Sequence, residues 1–443
     1  MRADESGRAV DAGRLPPGPS GVPLLGMLPQ LAANPLDTCL RTRERYGDVV
    51  RMPVLRGAVF VLAHPDHIGE VLVRRNANHW KGRLFRRADF LMGNGLVLND
   101  GDSWHEQRRV IQPGFHARRL ERAVPAMVTV IEDMLERWDR LGPGARIEVE
   151  SEMTTLTLDL MATAMLGVRL TAGELATLGA SFGTVLKHLG LRFLTFTLPE
   201  TTRIPGERRA RRAVAELDAL VANIEARHER SGPAEDVLPL LLEAADSGRM
   251  TRTQLRDEIV TLLFGGYEAT AHALSWAWYL MDRHPEAGDR VRAEAARTAP
   301  GDYAGLEFTR RVLDDTLRLY PPFWEVLRSS RTAQEIGGCD IPADSSILLL
   351  PWLTHRHPEF WPDPEVFRPD RWAAAPAHRY AYFPFGAGQR LCIGRPLALL
   401  EMQLVLSQVS RRYRLRGAGE VRARAQSTLR SRGGIPMTLE KAA

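Results

Sequence analysis

The segment with the densest chemistry is Phe383-Pro384-Phe385-Gly386-Ala387-Gly388-Gln389-Arg390-Leu391-Cys392-Ile393-Gly394. Glycines at 386, 388 and 394 let backbone approach a bulky group and turn tightly around it. The run that follows, Arg395-Pro396-Leu397-Ala398-Leu399-Leu400-Glu401, is helix-competent, with Pro396 suited to a first turn. A cysteine just ahead of a helix N-terminus meets unpaired N–H groups and the positive end of the dipole, which favour thiolate over thiol. Cys392 is therefore a candidate thiolate ligand, set against the plainer reading of a structural cysteine beside a Gly-rich turn. Arg390 can pair with a carboxylate of a bound group. Cys39 and Cys339 have no comparable surroundings and read as structural.

A second unusual segment is Phe264-Gly265-Gly266-Tyr267-Glu268-Ala269-Thr270, inside a stretch of helical period over 251–281. Two adjacent glycines within a helix cost roughly 1 kcal/mol each relative to alanine. Something must need the missing side chains, and room for a small molecule is the natural candidate.

The pattern Phe-x-x-Gly-x-Arg-x-Cys-x-Gly, met at Phe385, Gly388, Arg390, Cys392 and Gly394, resembles the haem-binding signature of the cytochrome P-450 superfamily. The resemblance runs from Pro16 to Pro436. It implies a mainly α fold with a small β portion, haem b held between a long central helix and a cysteine loop, and Cys392 as the iron ligand. Thiolate ligation pushes electron density onto iron and favours O–O cleavage. The resemblance also implies that Trp104 and Arg108, which share a helix face at i and i+4, hold a haem propionate together with Arg328. Asp315 and Arg318, with Arg371 from a later loop, resemble the family's Glu-x-x-Arg and arginine trio. Asp for Glu shortens the arm by one methylene, so the trio must be tighter or partly water-bridged. It is read as structural, holding the cysteine loop.

The helix segment resembles the family's Ala/Gly-Gly-x-Glu/Asp-Thr-Thr motif, in which a threonine after the acid helps deliver protons to the oxygen being activated. Here Glu268 is followed by Ala269, and Thr270 comes one residue later, rotated by about 100° on a helix. Three readings follow. A substrate hydroxyl, or water with Glu268, replaces the missing group and gives ordinary hydroxylation or epoxidation; the enzyme runs coupling, ring formation or rearrangement instead; or the helix is catalytically inert. His272 is a weaker candidate for a proton path, with a packed histidine as the plainer reading. His355 and His357 read as ordinary polar contacts. By resemblance the substrate wall draws on Phe85, Phe90, Leu189, Phe193, Phe196, Phe323, Trp324 and Val326, an apolar and aromatic set suited to a terpenoid, polyketide or lipophilic peptide.

These residues need a scaffold, and the rest of the chain describes one. At 443 residues the chain is long enough for a large core. Helical periodicity over 120–141, 153–165 and 213–228 precedes the central helix, alternation over 48–63 reads as an early hairpin, and short strands follow Pro321. The expectation is a flexible polar extension over 1–14 and a single catalytic domain over 15–443. Three scattered cysteines exclude a disulfide framework and point to a reducing compartment. With no signal peptide or membrane span read from the sequence, the expected location is cytoplasmic. All but three of the 59 basic residues are arginine, the lysines being Lys81, Lys187 and Lys441, yet no nucleic-acid motif accompanies the +5 net charge. With no flavin or iron–sulfur module fused, the expected electron donors are a separate ferredoxin and its reductase, the ferredoxin docking on a basic face. The protein is expected to be a monomer.

Overall fold

The computed structural model describes residues 15–55, 57–82, 88–194, 202–231 and 236–442. The 1–14 extension, Phe85 and Phe196 lie outside the described residues, as does the side chain of Phe193. The chain divides into two compact units, each assembled from separate stretches: Met1–Gly82 with Trp324–Glu365 and Pro376–Leu391, and Arg83–Phe323 with Val366–Ala375 and Cys392–Ala443.

The first unit is built on a five-stranded mixed sheet. Val49–Val54 and Gly57–Leu62 form the expected hairpin, pairing Val49 with Leu62 through Val54 with Gly57. Gly57–Leu62 runs parallel to Ser346–Leu349, which pairs antiparallel with Val326–Ser330, and His79–Trp80 closes the edge. β-Branched and aromatic residues suit this pleated surface. Phe60, Leu62, Ile347 and Leu349 pack on Ile68, Val71, Leu72 and Phe383 to form the core.

The second unit is helical. Ala117–Leu141, Val149–Leu166, Ala172–Leu194 and Glu207–Ser231 lead to the central helix, Arg252–Arg283, of 32 residues. Its start is fixed by a capping box: the Gln254 amide donates to Thr251 Oγ1, and the Thr251 amide donates to Gln254 Oε1. Gly167, at φ 63°, ends the Val149–Leu166 helix in the left-handed conformation. After Cys392, Pro396 stands in the first turn of the Arg395–Arg412 helix. A hairpin of Ala423–Ala425 and Leu429–Ser431 follows, and the last strand, Pro436–Lys441, pairs with Tyr413–Arg416 and Arg146–Glu148.

Among the described residues no helix is long and apolar enough to cross a membrane. No group of three or more His, Cys, Asp or Glu side chains among them is arranged to hold a metal ion.

Candidate active site

Cys392 carries an exposed side chain although protein surrounds it on every side, so its sulfur borders an internal space. Burial raises its thiol pKa, against the N–H groups of Gly394 and Arg395 and the charges of Arg108 and Arg395, all of which favour thiolate. The helix N-terminus acts in the expected direction, but desolvation outweighs it. Arg108 faces the same sulfur, and its own pKa is lowered by burial while the cysteine works in the opposite sense. Its guanidinium lies 5.4 Å from the centroid of the Trp104 ring, so the i, i+4 pair does share a face of the Gly101–Ile111 helix. Trp104 itself is buried.

The glycines of the cysteine segment differ in what the protein itself demands of them. Gly388 has φ 70°, and a Cβ there would stand 2.1 Å from the Leu72 carbonyl oxygen. Its missing side chain is required by the close approach of protein backbone. Gly386, at φ 72°, makes a left-handed turn with open room around it, while a Cβ on Gly394 would meet Cys392 Sγ at an ordinary 3.8 Å. The amide of Phe383, where the segment begins, donates to Nε2 of the buried His355 at 2.9 Å. His357 meets Asp48 Oδ2 at 3.2 Å, so both histidines are polar contacts of the fold. Arg328, nearly buried in its strand, donates to its neighbour's carbonyl at Leu327.

The central helix also separates its two glycines. Gly265 is exposed in the middle of a largely buried helix, with nothing within 4 Å of its added Cβ. Ala269, one turn on and on the same face, keeps partial exposure. Gly266 is different: a Cβ there would meet the Met161 sulfur at 2.2 Å. Only the first glycine opens space; the second lets the Val149–Leu166 helix come close. Thr270 is buried, and its hydroxyl donates to the Gly266 carbonyl at 2.8 Å.

Glu268 is turned onto the C-terminal hairpin. Its Oε1 accepts from Ser427 Oγ at 3.2 Å and Thr428 Oγ1 at 2.9 Å, and pairs with Arg430. Thr428 also meets Nδ1 of His272 at 2.9 Å. Burial, helped by the Arg430 charge, lowers the His272 pKa to about 3, so this histidine is a neutral, packed member of the knot. Sequence reasoning missed Thr428 and Arg430, which are 160 and 162 positions from Glu268.

Asp315 and Arg318 are fully buried and paired at 2.7 Å between Oδ1 and Nε. Arg371 Nε lies 3.2 Å from the same oxygen. Trp372 Nε1 donates to Oδ1 at 3.0 Å and the Arg368 amide to Oδ2 at 2.6 Å. The shorter acid is met by direct donors, the tighter of the two arrangements expected for it.

Of the expected substrate wall, Phe90 stands edge-on to His188 and beneath Arg192. Leu189 and Trp324 are buried, and Phe323 is exposed. Val326 packs against the core of the sheet, which explains its presence without a ligand. Cys39 is buried, its thiol pushed up to about 12 by burial and by Glu325.

A buried, accessible sulfur at a helix N-terminus and a long helix with one open face define a haem-thiolate enzyme. The cytochrome P450 family model matches residues 16–429, and the chain belongs to that family. It is 32% identical over 428 residues to cyclooctatin synthase of Streptomyces melanosporofaciens, covering 93% of this chain and 92% of the relative. It is also 32% identical to cyclooctat-9-en-7-ol 5-monooxygenase of the same organism, covering 90% and 89%. To pentalenene oxygenase of Streptomyces avermitilis it is 29% identical, over 90% of each chain. Among solved structures, a six-coordinated cytochrome P450 from Thermus thermophilus superposes with TM-score 0.74 at 26% identity, covering 92% of this chain and 99% of that one.

The protein is thus a cytochrome P450 oxidoreductase of the monooxygenase type, whose cofactor is haem. The residues present fit that group. The Cys392 sulfur is a soft donor facing accessible space, and Arg108 is a cation beside it that can meet a propionate.

Proposed function

We propose that this enzyme oxygenates an apolar terpene or terpenoid alcohol, with Cys392 as the residue that would ligate the haem iron and Trp104, Arg108, Arg328 and Arg390 as those that would hold its propionates. The enclosed yet accessible sulfur of Cys392 is the observation that carries this reading. Coordination removes the thiol proton that burial otherwise retains. When bound, the haem supplies the reductive activation of dioxygen. The chain's own residues leave room over the Gly265–Ala269 face, keep Thr270 turned away, and hold Glu268 on the hairpin. Protons then reach that face through water or a substrate hydroxyl. The relatives' names, which include an alcohol oxygenated at a further carbon, favour the terpenoid class. Cys392→Ser should lose the thiolate-type spectrum of the reduced carbon-monoxide complex; its retention would falsify the ligand assignment. Labelled dioxygen should appear in the product.

Ala269 favours a second reading, oxidative coupling, ring formation or rearrangement, because no hydroxyl stands at that position of the open face. Product lacking the labelled oxygen would establish it over the first. In both readings a separate ferredoxin with its reductase supplies electrons. Stopped-flow reduction that slows steeply with rising salt is expected, and salt-independent reduction counts against the basic docking face.

A further inference from the structure

A small cleft of about 30 Å³ in the helical unit shares no residue with the cysteine site. The central helix brings Trp278 to it, the Pro285–Arg297 helix Asp289 and Arg292, and the Tyr413–Arg416 strand Arg414 and Arg416. Trp278 is 3% exposed, and its indole Nε1 is buried without a hydrogen-bond partner among the described residues. Arg292 Nε is buried and unmet in the same way. Buried donors without partners are rare in folded proteins, so two of them on residues that line one cleft point to an occupant.

The charge around the cleft is unbalanced. Arg292 Nη1 and Arg414 Nη2 both reach Asp289 Oδ1, at 3.0 and 2.7 Å, so two guanidinium groups share one carboxylate oxygen. Arg416 lies 3.8 Å from Asp282, whose carboxylate also accepts from the amides of Gly417 and Ala418. Three guanidinium groups thus meet two carboxylates, an excess of one positive charge. Pro285 and Gly288 bring the first turn of their helix to the same cleft, where backbone charge is also positive.

We infer that this cleft binds one small oxyanion of the phosphate or sulfate kind. The Trp278 N–H and Arg292 Nε are its unspent donors, and Arg414 and Arg416 add charge. An oxyanion presents several acceptor oxygens at once, which suits donors carried by separate elements, and the arginine fork matches its geometry. A single water needs roughly 10–15 Å³ of such space, so the room admits a compact ion and excludes a nucleotide. Bound there, the ion ties the central helix to the helix and strand that contribute the arginines, and it stabilises the fold by mass action. The inference stands apart from the oxygenase reading.

The test uses haem-loaded enzyme, with sodium phosphate as the probe and sodium chloride to hold ionic strength constant. Wild-type protein should bind one phosphate with Kd on the order of 1 mM by isothermal titration, and its unfolding midpoint should rise with phosphate. Trp278→Phe keeps a ring and removes the N–H, and it should weaken phosphate binding about tenfold. Arg292→Gln should weaken it at least as much, whereas Arg212→Gln, at an exposed arginine of another helix, should stay within about twofold of wild type. Chloride that raises the midpoint as far as phosphate does, or phosphate that acts equally on all four proteins, overturns the inference. So does an absence of binding in wild type, which leaves the cleft to water. Midpoints measured without phosphate show that each variant folds. A wild-type protein that binds phosphate but lacks the thiolate signature counts against the ligand assignment alone.

Discussion

The hydroxyl of Thr270 donates to the carbonyl oxygen of Gly266, 2.8 Å away, one helical turn back. That bond fixes Thr270 away from the face shared by Gly265 and Ala269. Ala269→Thr should therefore place a hydroxyl on the open face and raise the share of reducing equivalents recovered as oxygenated product. Thr270→Val should leave that share within about twofold, because proton delivery worth roughly 10²–10⁴ in rate needs a group at the reacting face. Hydrogen peroxide release per NADH consumed measures both.

The two glycines should respond oppositely to alanine. Gly266→Ala drives a methyl into Met161 and should destabilise the protein by about 1–3 kcal/mol, the range for overpacking. Met161→Ala should recover part of that loss in the double variant. Gly265→Ala should fold normally and even gain helix propensity, while weakening ligand binding on the open face. Thermal unfolding of the four variants and ligand titration separate the cases.

Restoring the family's usual acid should harm this protein. Asp315→Glu adds a methylene to a fully buried knot already closed by the Arg368 amide at 2.6 Å and Trp372 at 3.0 Å. A loss of about 1–3 kcal/mol is expected, read as a lower unfolding midpoint. Asp315→Ala leaves buried Arg318 without its carboxylate and should cost about 3–5 kcal/mol, with little haem retained.

Glu258 provides a pH test. It is fully buried, its Oε2 accepts from the Leu96 amide at 3.1 Å, and burial raises its pKa to about 8. An unfolded glutamate ionises near 4.3, so above that pH the unfolded chain has lost a proton that the folded one keeps. The contribution is fully present below the unfolded pKa and falls as pH rises toward about 8, where it levels off. Glu258→Gln should flatten this slope, gaining on wild type by a few kcal/mol between about pH 5 and pH 8. Urea unfolding at the two pH values checks the sign.

How much of this was legible in the residues differs by kind of contact. The helical stretches emerged where their periodicity put them, and the Asp315, Arg318 and Arg371 trio, read from its resemblance to the family's motif, is brought together in the fold. The reasons for glycine did not emerge in this way. Gly388 and Gly266 are demanded by Leu72 and Met161, partners far away in the chain whose approach no local pattern encodes. The fate of Glu268 was hidden likewise, since Ser427, Thr428 and Arg430 read as an ordinary polar loop and strand until the hairpin folds back.

With Cys392 as the ligand, timing in biosynthesis follows from where the parts fall along the chain. The sulfur, the helix after the cysteine and the hairpin that engages Glu268 all follow the central helix and the Asp315 turn along the chain. The central helix and the Asp315 turn are made earlier and must wait for them. Through this sulfur, haem can be captured only once position 392 has been made, so the earlier elements must stay competent until then.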